Sequence, residues 1–205
     1  ERFRARHDEI AAAISGLARA DTLQAKGLFT TDIEGCRPSL GPAEPLRLVA
    51  ARHPLLDRRL KEQGARCVPI SIAIDPFDRV LVISGPNTGG KTVALKTVGL
   101  AALMAQCGLP VAATSASLPV FLQLRADIGD HQSIDADLST FSAHVRAVTR
   151  SLADADPPAL FLFDEIGTGT EPGEGAALAQ AVLERLQAQG VTAIATTHHA
   201  ALKAW

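Results

Sequence analysis

The chain has 205 residues, 47% of them hydrophobic, so it can bury the core of at least one full domain. Its formal net charge is −2, which excludes a polycation whose composition alone would drive binding to nucleic acid. No apolar run reaches the length of a membrane span, and Cys36, Cys67 and Cys107 form no C-x-x-C pair, so we expect a cytoplasmic protein with no membrane partner, disulfide framework or zinc site.

The N-terminal residues 1–27 are predicted to be helical, because apolar side chains recur there at spacings of three to four. Those that fall on roughly one face are Ile10, Ile14, Leu17 and Leu23. The segment 34–45 is rich in Gly and Pro, which predicts a linker or turn region before the rest of the chain.

Beyond residue 45, short apolar runs alternate with stretches of helical spacing. The predicted strands are LRLVAA, CVPISIAI, RVLVIS, LQLRADIG, ALFLFDE and VTAIATTHH. The predicted helices are LDRRLKEQG, the stretch that starts after Gly90 and ends near Gly108, STFSAHVRAVTRSLADAD and GEGAALAQAVLERLQAQG. This alternation predicts an α/β fold with a mostly parallel sheet flanked by helices, preceded by a short helical segment.

The segment GPNTGGKT lies between a predicted buried strand and a predicted helix, and it fits the pattern G-x-x-x-x-G-K-[ST]. Backbone amides at a helix N-terminus bind anions, and glycines let the backbone approach a phosphate closely. An ordinary strand–turn–helix is the alternative. Lys91 is predicted to reach the β- and γ-phosphates and Thr92 to ligate Mg²⁺. The predicted nucleotide-binding residues are Gly85, Pro86, Asn87, Thr88, Gly89, Gly90, Lys91 and Thr92.

Two carboxylates, Asp164 and Glu165, come at the end of the predicted strand ALFLFDE. Ligands of parallel sheets bind at the carboxyl ends of the strands. Asp164 is therefore predicted to hold Mg²⁺ through water, and Glu165 to polarise the attacking water. The alternative is a pair of helix-capping carboxylates before GTGTEP. An acid next to the metal-binding Asp favours hydrolysis over simple nucleotide storage.

Two further groups are candidates for contacting phosphate. The last predicted strand ends in His198 and His199, either of which could sense a γ-phosphate. A lone histidine at the end of a strand is usually structural or solvated, but the expected position of this strand beside ALFLFDE favours His198 as functional. Ser139 and Thr140 begin a predicted helix. They are either a plain N-cap or a second helix N-terminus that meets the nucleotide of another subunit, and spacing alone leaves these interpretations equal.

The segments GPNTGGKT, DIGDHQSIDADLSTFSAHV, LFDEIGTGTEPGEGAALA and TTHH together resemble the ATPase domain of the MutS proteins, within the ABC ATPase class. The closer resemblance is to the type two branch, the recombination-suppressing paralogue. Mismatch-repair MutS typically has Met and Ser where this chain has Thr88 and Thr92. By this resemblance, 1–45 is the end of a helical core or lever region with a linker. Residues 46–205 are then an ABC-type ATPase domain, truncated at its C-terminal end.

The resemblance implies a homodimer formed through the ATPase domain, with two composite sites that use ATP and Mg²⁺. It implies a Walker B acid at Asp164, a catalytic base at Glu165 and a switch histidine at His198. Ser139 and Thr140 would act in trans on the partner's ATP, which favours function over a plain cap. In the full-length protein the dimer would clamp branched or recombination DNA, or stalled ribosomes. The branch often carries a C-terminal Smr nuclease domain, and no nuclease activity is expected of the residues of this chain.

Other classes fit the sequence less well or are not separated by it. A transporter ATPase subunit should show a Leu-Ser-Gly-Gly signature, which LSTFS lacks, and a P-loop kinase would not need Glu165 next to Asp164. A nucleotide-gated dimerisation module with negligible turnover, or a mismatch-repair type of ATPase, stays open. The chain also has Glu171 where the family usually has Asp, and His199 where it usually has Tyr.

Overall fold

The structure is a computed structural model that describes residues 6–86, 89–129, 149, 152–199 and 202. The helices within these residues are α1 (His7–Asp32), α2 (Pro54–Glu62), α3 (Lys91–Gln106) and α4 (Pro172–Ala188). The strands are β1 (Ser39–Leu40), β2 (Leu46–Ala51), β3 (Ile70–Ile74), β4 (Val80–Ser84), β5 (Ser115–Leu118), β6 (Gln123–Asp127), β7 (Ala159–Phe163) and β8 (Thr192–Thr197). The predicted helix STFSAHVRAVTRSLADAD lies largely outside the described residues.

The apolar runs predicted as buried strands form one parallel sheet in the order β4-β8-β7-β6. Its register pairs Ser84 with Thr197 and Phe163 with Ala195. The four strands run in the same direction, so their carboxyl ends lie along one edge. The predicted α/β fold with a parallel sheet flanked by helices is confirmed.

The two faces of this sheet belong to different hydrophobic clusters, because successive side chains of a strand point to opposite faces. Leu160 and Leu162 of β7 share a cluster with α3, whereas Phe161 and Phe163 share one with α4. The residues of β7 and β8 are all buried. Burial on both faces explains why these strands read as nearly continuous apolar runs and show no alternation of apolar with polar residues.

A second, mixed sheet has the order β1-β5-β2-β3, with β1 parallel to β5 and the other pairs antiparallel. Its buried side chains share one cluster with α3 and the parallel sheet. Helix α3 therefore contacts both sheets, and 10 of its 16 residues are buried. The sequence predicts β2 and β3 as strands, but its pattern does not separate their sheet from the parallel one. Strand β5 was not predicted, because SASL carries no clear strand pattern.

The segment 34–45, predicted as a linker, is paired with this second sheet. It contributes β1, and the carboxylate of Glu44 accepts hydrogen bonds from the hydroxyls of Ser39 (2.7 Å) and Ser117 (2.5 Å). These bonds hold the pKa of Glu44 below its usual value. One side chain thus ties the segment to both β1 and β5.

Helix α1 confirms the predicted N-terminal helix and extends it to Asp32. None of the described residues of α1 is buried, and the apolar side chains of its predicted face are exposed. The chain that leaves α1 is held by Arg52, whose guanidinium donates to the carbonyls of Ile33 (3.1 Å) and Glu34 (2.8 Å). These polar contacts and the partly buried Phe29, which packs against the core, hold the C-terminal end of α1.

Among the described residues, no helix combines the length and the apolar character needed to cross a bilayer.

A cluster of charged side chains joins Arg52 to α2. The carboxylate of Asp57 contacts Arg52 Nη1 (3.0 Å) and Lys61 Nζ (3.1 Å), and it accepts a hydrogen bond from the backbone amide of Cys67 (3.3 Å). Burial acts to raise the pKa of Asp57, but these donors and the two positive charges outweigh it and lower the pKa. The ionised carboxylate is therefore the form that the fold favours.

We expect Asp57→Asn to lower the free energy of unfolding by about 2 kcal/mol at pH 7, because a buried, doubly paired carboxylate is lost. The folded pKa of Asp57 lies below its unfolded value of about 3.9. Its contribution is therefore present above that value and disappears as the pH falls through the folded pKa. Urea titrations at pH 7, 5 and 3 should show the difference from the parent shrinking with acidity.

Asp78→Asn changes an exposed carboxylate of the loop before β4 and serves as the matched control, with no expected effect at any pH. Equal stability of the Asp57→Asn variant and the parent at pH 7 would contradict the assigned role of the cluster.

Candidate functional site

Three strands of the parallel sheet deliver the predicted site residues to one edge. Gly85 follows β4, Asp164 follows β7 and His198 follows β8, which lies between the other two. Neighbouring strands are about 4.8 Å apart, so the ends of β4 and β7 are separated by about 10 Å. The expected pairing of the last strand with ALFLFDE is confirmed. The phosphate-binding pattern and the carboxylates therefore share one edge of the sheet.

The turn from the loop into α3 places the N-terminus of a helix at the end of the loop. Gly90 is the N-cap residue at φ 79°, a left-handed conformation that glycine adopts without steric strain. Among the described residues, no side chain caps α3, and its first turn contains no acidic residue. The amides of that turn and the helix dipole both favour an anion at this position.

Lys91 begins α3 and is only 5% exposed. Its ammonium donates a hydrogen bond to the carbonyl of Gly85 (2.7 Å), so the side chain folds back over the loop. Burial of an ammonium is unfavourable without partners, and this bond offsets part of the penalty. The next residue, Thr92, is half-buried in the first turn. Asn87 and Thr88 lie outside the described residues.

The chemistry of these groups fits a nucleoside triphosphate with a divalent cation. The loop offers backbone amides and the ammonium of Lys91, which are donors suited to phosphate oxygens. The carboxylate of Asp164 and the hydroxyl of Thr92 are oxygen ligands, which Mg²⁺ prefers.

The carboxylates after β7 do not cap the helix that follows them. Helix α4 is capped by Glu171, whose Oε2 accepts from the amides of Gly173 (2.9 Å) and Glu174 (3.2 Å). Asp164 instead accepts a hydrogen bond at Oδ1 from the hydroxyl of Thr196 (2.6 Å). The capping alternative for Asp164 and Glu165 is therefore wrong.

Glu165 has a left-handed backbone with φ 54°, which is uncommon for a residue other than glycine. Its amide donates to the hydroxyl of Thr196 (2.8 Å). Thr196 was not among the predicted site residues, although a threonine inside the buried strand TAIATT is a signal for a hydroxyl with a specific partner.

The loop after Glu165 packs tightly against α4. A Cβ on Gly175 would lie 2.1 Å from the carbonyl oxygen of Gly167, and Gly167 itself has φ 85°. The same carbonyl accepts a hydrogen bond from Nε2 of His199 (3.2 Å), which fixes the proton of that buried ring on Nε2. His199, which the sequence offered beside His198 as a candidate phosphate contact, thus holds the loop.

Of the other predicted site residues, His198 is described by the structure and Ser139 and Thr140 are not. His198 is exposed just beyond the end of β8, with its ring centroid 4.5 Å from that of His199. Its role as a γ-phosphate sensor stays a prediction. Ser139 and Thr140 lie outside the described residues, and their action on the nucleotide of a partner subunit stays a prediction.

The parallel sheet, the loop at the end of β4 and the paired carboxylates at the end of β7 define a P-loop ATPase domain. Residues 81–205 match the family described as MutS domain V. The chain belongs to the MutS family and contains this domain. Membership implies nucleotide binding.

Three curated relatives, each named Endonuclease MutS2, agree with this assignment. The protein from Thermomicrobium roseum is 49% identical over 96% of this chain and 26% of the relative. The protein from Geobacillus thermodenitrificans is 44% identical over 98% of this chain and 25% of the relative. The protein from Gemmatimonas aurantiaca is 43% identical over 99% of this chain and 24% of the relative. The chain spans about a quarter of the length of these relatives. The resemblance to the type two branch is confirmed.

We expect Gly175→Ala to lower the free energy of unfolding by about 2 kcal/mol, because the added methyl group meets the backbone carbonyl of Gly167 and the loop must move. Gly16→Ala is the matched control, since nothing lies within 4 Å of that position in α1. It should be neutral or stabilising by up to about 1 kcal/mol. Guanidinium unfolding of both variants measures this, and equal stability of Gly175→Ala and the parent would contradict the close packing.

Proposed function

We propose that this chain is the ATP-binding and ATP-hydrolysing core of a MutS type two protein. The observation that carries the proposal is the buried Lys91 at the start of α3, after the loop that follows β4 and on the same sheet edge as Asp164. A buried ammonium beside the amides of a helix N-terminus is suited to a polyphosphate, and a carboxylate two strands away is suited to its metal ion.

In this proposal each residue has a distinct task. Lys91 and the first amides of α3 bind and orient the β- and γ-phosphates, and the whole loop from Gly85 to Thr92 encloses them. Glu165 accepts hydrogen bonds from the attacking water and draws its proton away as the bond to phosphorus forms. His198 contacts the γ-phosphate from the end of β8.

Thr92 and Asp164 would hold Mg²⁺, Thr92 through its hydroxyl and Asp164 through water. The metal ion supplies charge neutralisation to the phosphates when it is bound. The half-buried position of both side chains is compatible with an ion that keeps several of its waters.

We further propose that ATP closes a homodimer through this domain, with Ser139 and Thr140 of each copy acting on the nucleotide of the other. This assignment of Ser139 and Thr140 rests on the sequence resemblance. In the full-length protein, closure would clamp branched or recombination DNA, or stalled ribosomes. The relatives are named as endonucleases, and a nuclease activity of the parent protein would come from residues outside this chain.

A cytoplasmic location is also proposed. Cys36, Cys67 and Cys107 are free thiols, which is typical of a protein kept in a reducing compartment.

We expect Lys91→Ala to lose detectable ATP binding, a weakening of at least about 100-fold, because a buried charge-assisted contact to phosphate is removed. Lys96→Ala changes an exposed lysine on the same helix and should bind as the parent does. Titration calorimetry with ATP and Mg²⁺ provides the measurement. Unchanged affinity in Lys91→Ala would remove the loop as the nucleotide site.

We expect Glu165→Ala to bind ATP as tightly as the parent but to hydrolyse it about 100-fold to 1,000-fold more slowly, because the base is absent. With Mg-ATP trapped in this way, light scattering should show a dimer, and without nucleotide a monomer. Glu184→Ala, on the exposed face of α4, should hydrolyse at the parental rate.

Three results of this experiment count against parts of the proposal. Parental turnover in Glu165→Ala would remove Glu165 as the base. A monomer in both conditions would contradict dimerisation through this chain. Dimerisation with no turnover even in the parent would favour a nucleotide-gated assembly module over an ATPase.

A further inference from the structure

Thr196 is a fully buried polar residue of β8. This strand lies between β4, which precedes the phosphate-binding loop, and β7, which precedes the two carboxylates. Thr196 is 0% exposed, and an unpaired hydroxyl at that depth would be unfavourable. Within the described part of the chain, its hydroxyl makes two hydrogen bonds, and both go to residues of the candidate site, Asp164 and Glu165.

The direction of these hydrogen bonds is fixed by chemistry. The backbone amide of Glu165 can only donate, so the oxygen of Thr196 accepts there (2.8 Å). The single hydroxyl proton is then directed to Oδ1 of Asp164 (2.6 Å). One oxygen of the carboxylate is engaged in this way, which orients Oδ2 as the oxygen available to a hydrated cation.

The same residue also holds the turn that carries Glu165. The carbonyl of Thr196 accepts from the amide of Ile166 (3.0 Å), so both Glu165 and the residue after it are bonded to one position of β8. The left-handed backbone of Glu165, with φ 54°, is unfavourable for a residue that carries a side chain. Such a conformation persists when surrounding contacts determine it.

We propose that Thr196 is a positioning residue of the ATPase site, which sets the orientation of the metal-binding carboxylate and the backbone of the base at the same time. The inference rests on the proposed function, because it assigns Asp164 and Glu165 their roles. Thr196 itself touches neither nucleotide nor metal in this scheme. It acts by coupling β8 to the end of β7.

The test compares Thr196→Val, which keeps the shape and removes the hydroxyl, with Thr196→Ser, which keeps the hydroxyl. Thr192→Val is the matched control, since Thr192 is a buried threonine at the other end of the same strand. Thr196→Ala provides a second variant without the hydroxyl if the valine variant does not fold.

Two kinds of measurement are needed. Hydrogen exchange of the Glu165 amide, in protein without nucleotide or metal, reports the turn directly and should quicken at least about tenfold in Thr196→Val. Steady-state ATP turnover against Mg²⁺ concentration should show a Mg²⁺ requirement raised about tenfold and kcat lowered about 10-fold to 100-fold, as for other residues that orient a metal ligand. ATP affinity without Mg²⁺ should stay within about twofold of the parent, because Lys91 and the loop are untouched.

Recovery of parental behaviour in Thr196→Ser, to within about threefold, and no change in Thr192→Val would support the proposal. Unchanged exchange of the Glu165 amide in Thr196→Val would overturn the proposal. Faster exchange together with a parental kcat and a parental Mg²⁺ requirement would also overturn it, because a merely structural threonine would behave in that way. Absence of turnover in the parent would instead overturn the proposed function. The Mg²⁺ dependence of ATP affinity, together with the exchange rates, would then decide the role of Thr196 without any turnover.

Discussion

The parallel pairing of β4, β8 and β7 is the constraint on which the rest of this molecule depends. It brings the loop after β4 and the carboxylates after β7 to one edge, although about 80 residues of chain separate them. The central strand β8 is buried at every residue, and a shift by one position would exchange the side chains that pack in one hydrophobic cluster with those that pack in the other. The geometry of the edge is therefore determined by the core.

Helix α3 carries this constraint to the phosphate-binding loop. It shares a hydrophobic cluster with both sheets, and its first residue is the lysine that folds back on Gly85. A helix packed on two sides has little freedom to rotate or slide, because interiors are close-packed. The amides of its first turn and the ammonium of Lys91 are thus held in place before any ligand binds, which reduces the reorganisation that binding requires.

The peripheral parts are attached by different forces. Helix α1 buries none of its described residues, and its C-terminal end is held by the hydrogen bonds of Arg52 to the carbonyls of Ile33 and Glu34 together with Phe29, which packs partly buried against the core. At the candidate site, hydrogen bonds also set the details: Thr196 to Asp164, and His199 to Gly167. Apolar burial therefore fixes the framework, and a small number of buried hydrogen bonds fix the orientation of the groups on it.

The sequence by itself determined the loop, the carboxylate pair, the buried strands and the family, because neighbouring residues define each of these features. The spacing of glycines and lysine defines the loop, an apolar run defines each buried strand, and two acids directly after such a run define the carboxylate pair. Only the tertiary structure decided how the strands divide between two sheets, and that Thr196 and His199 hold the residues around the carboxylates. The physical reason is distance along the chain. Thr196 and Asp164 are 32 residues apart, and a contact of that kind leaves no periodic pattern in the sequence that local reasoning can detect.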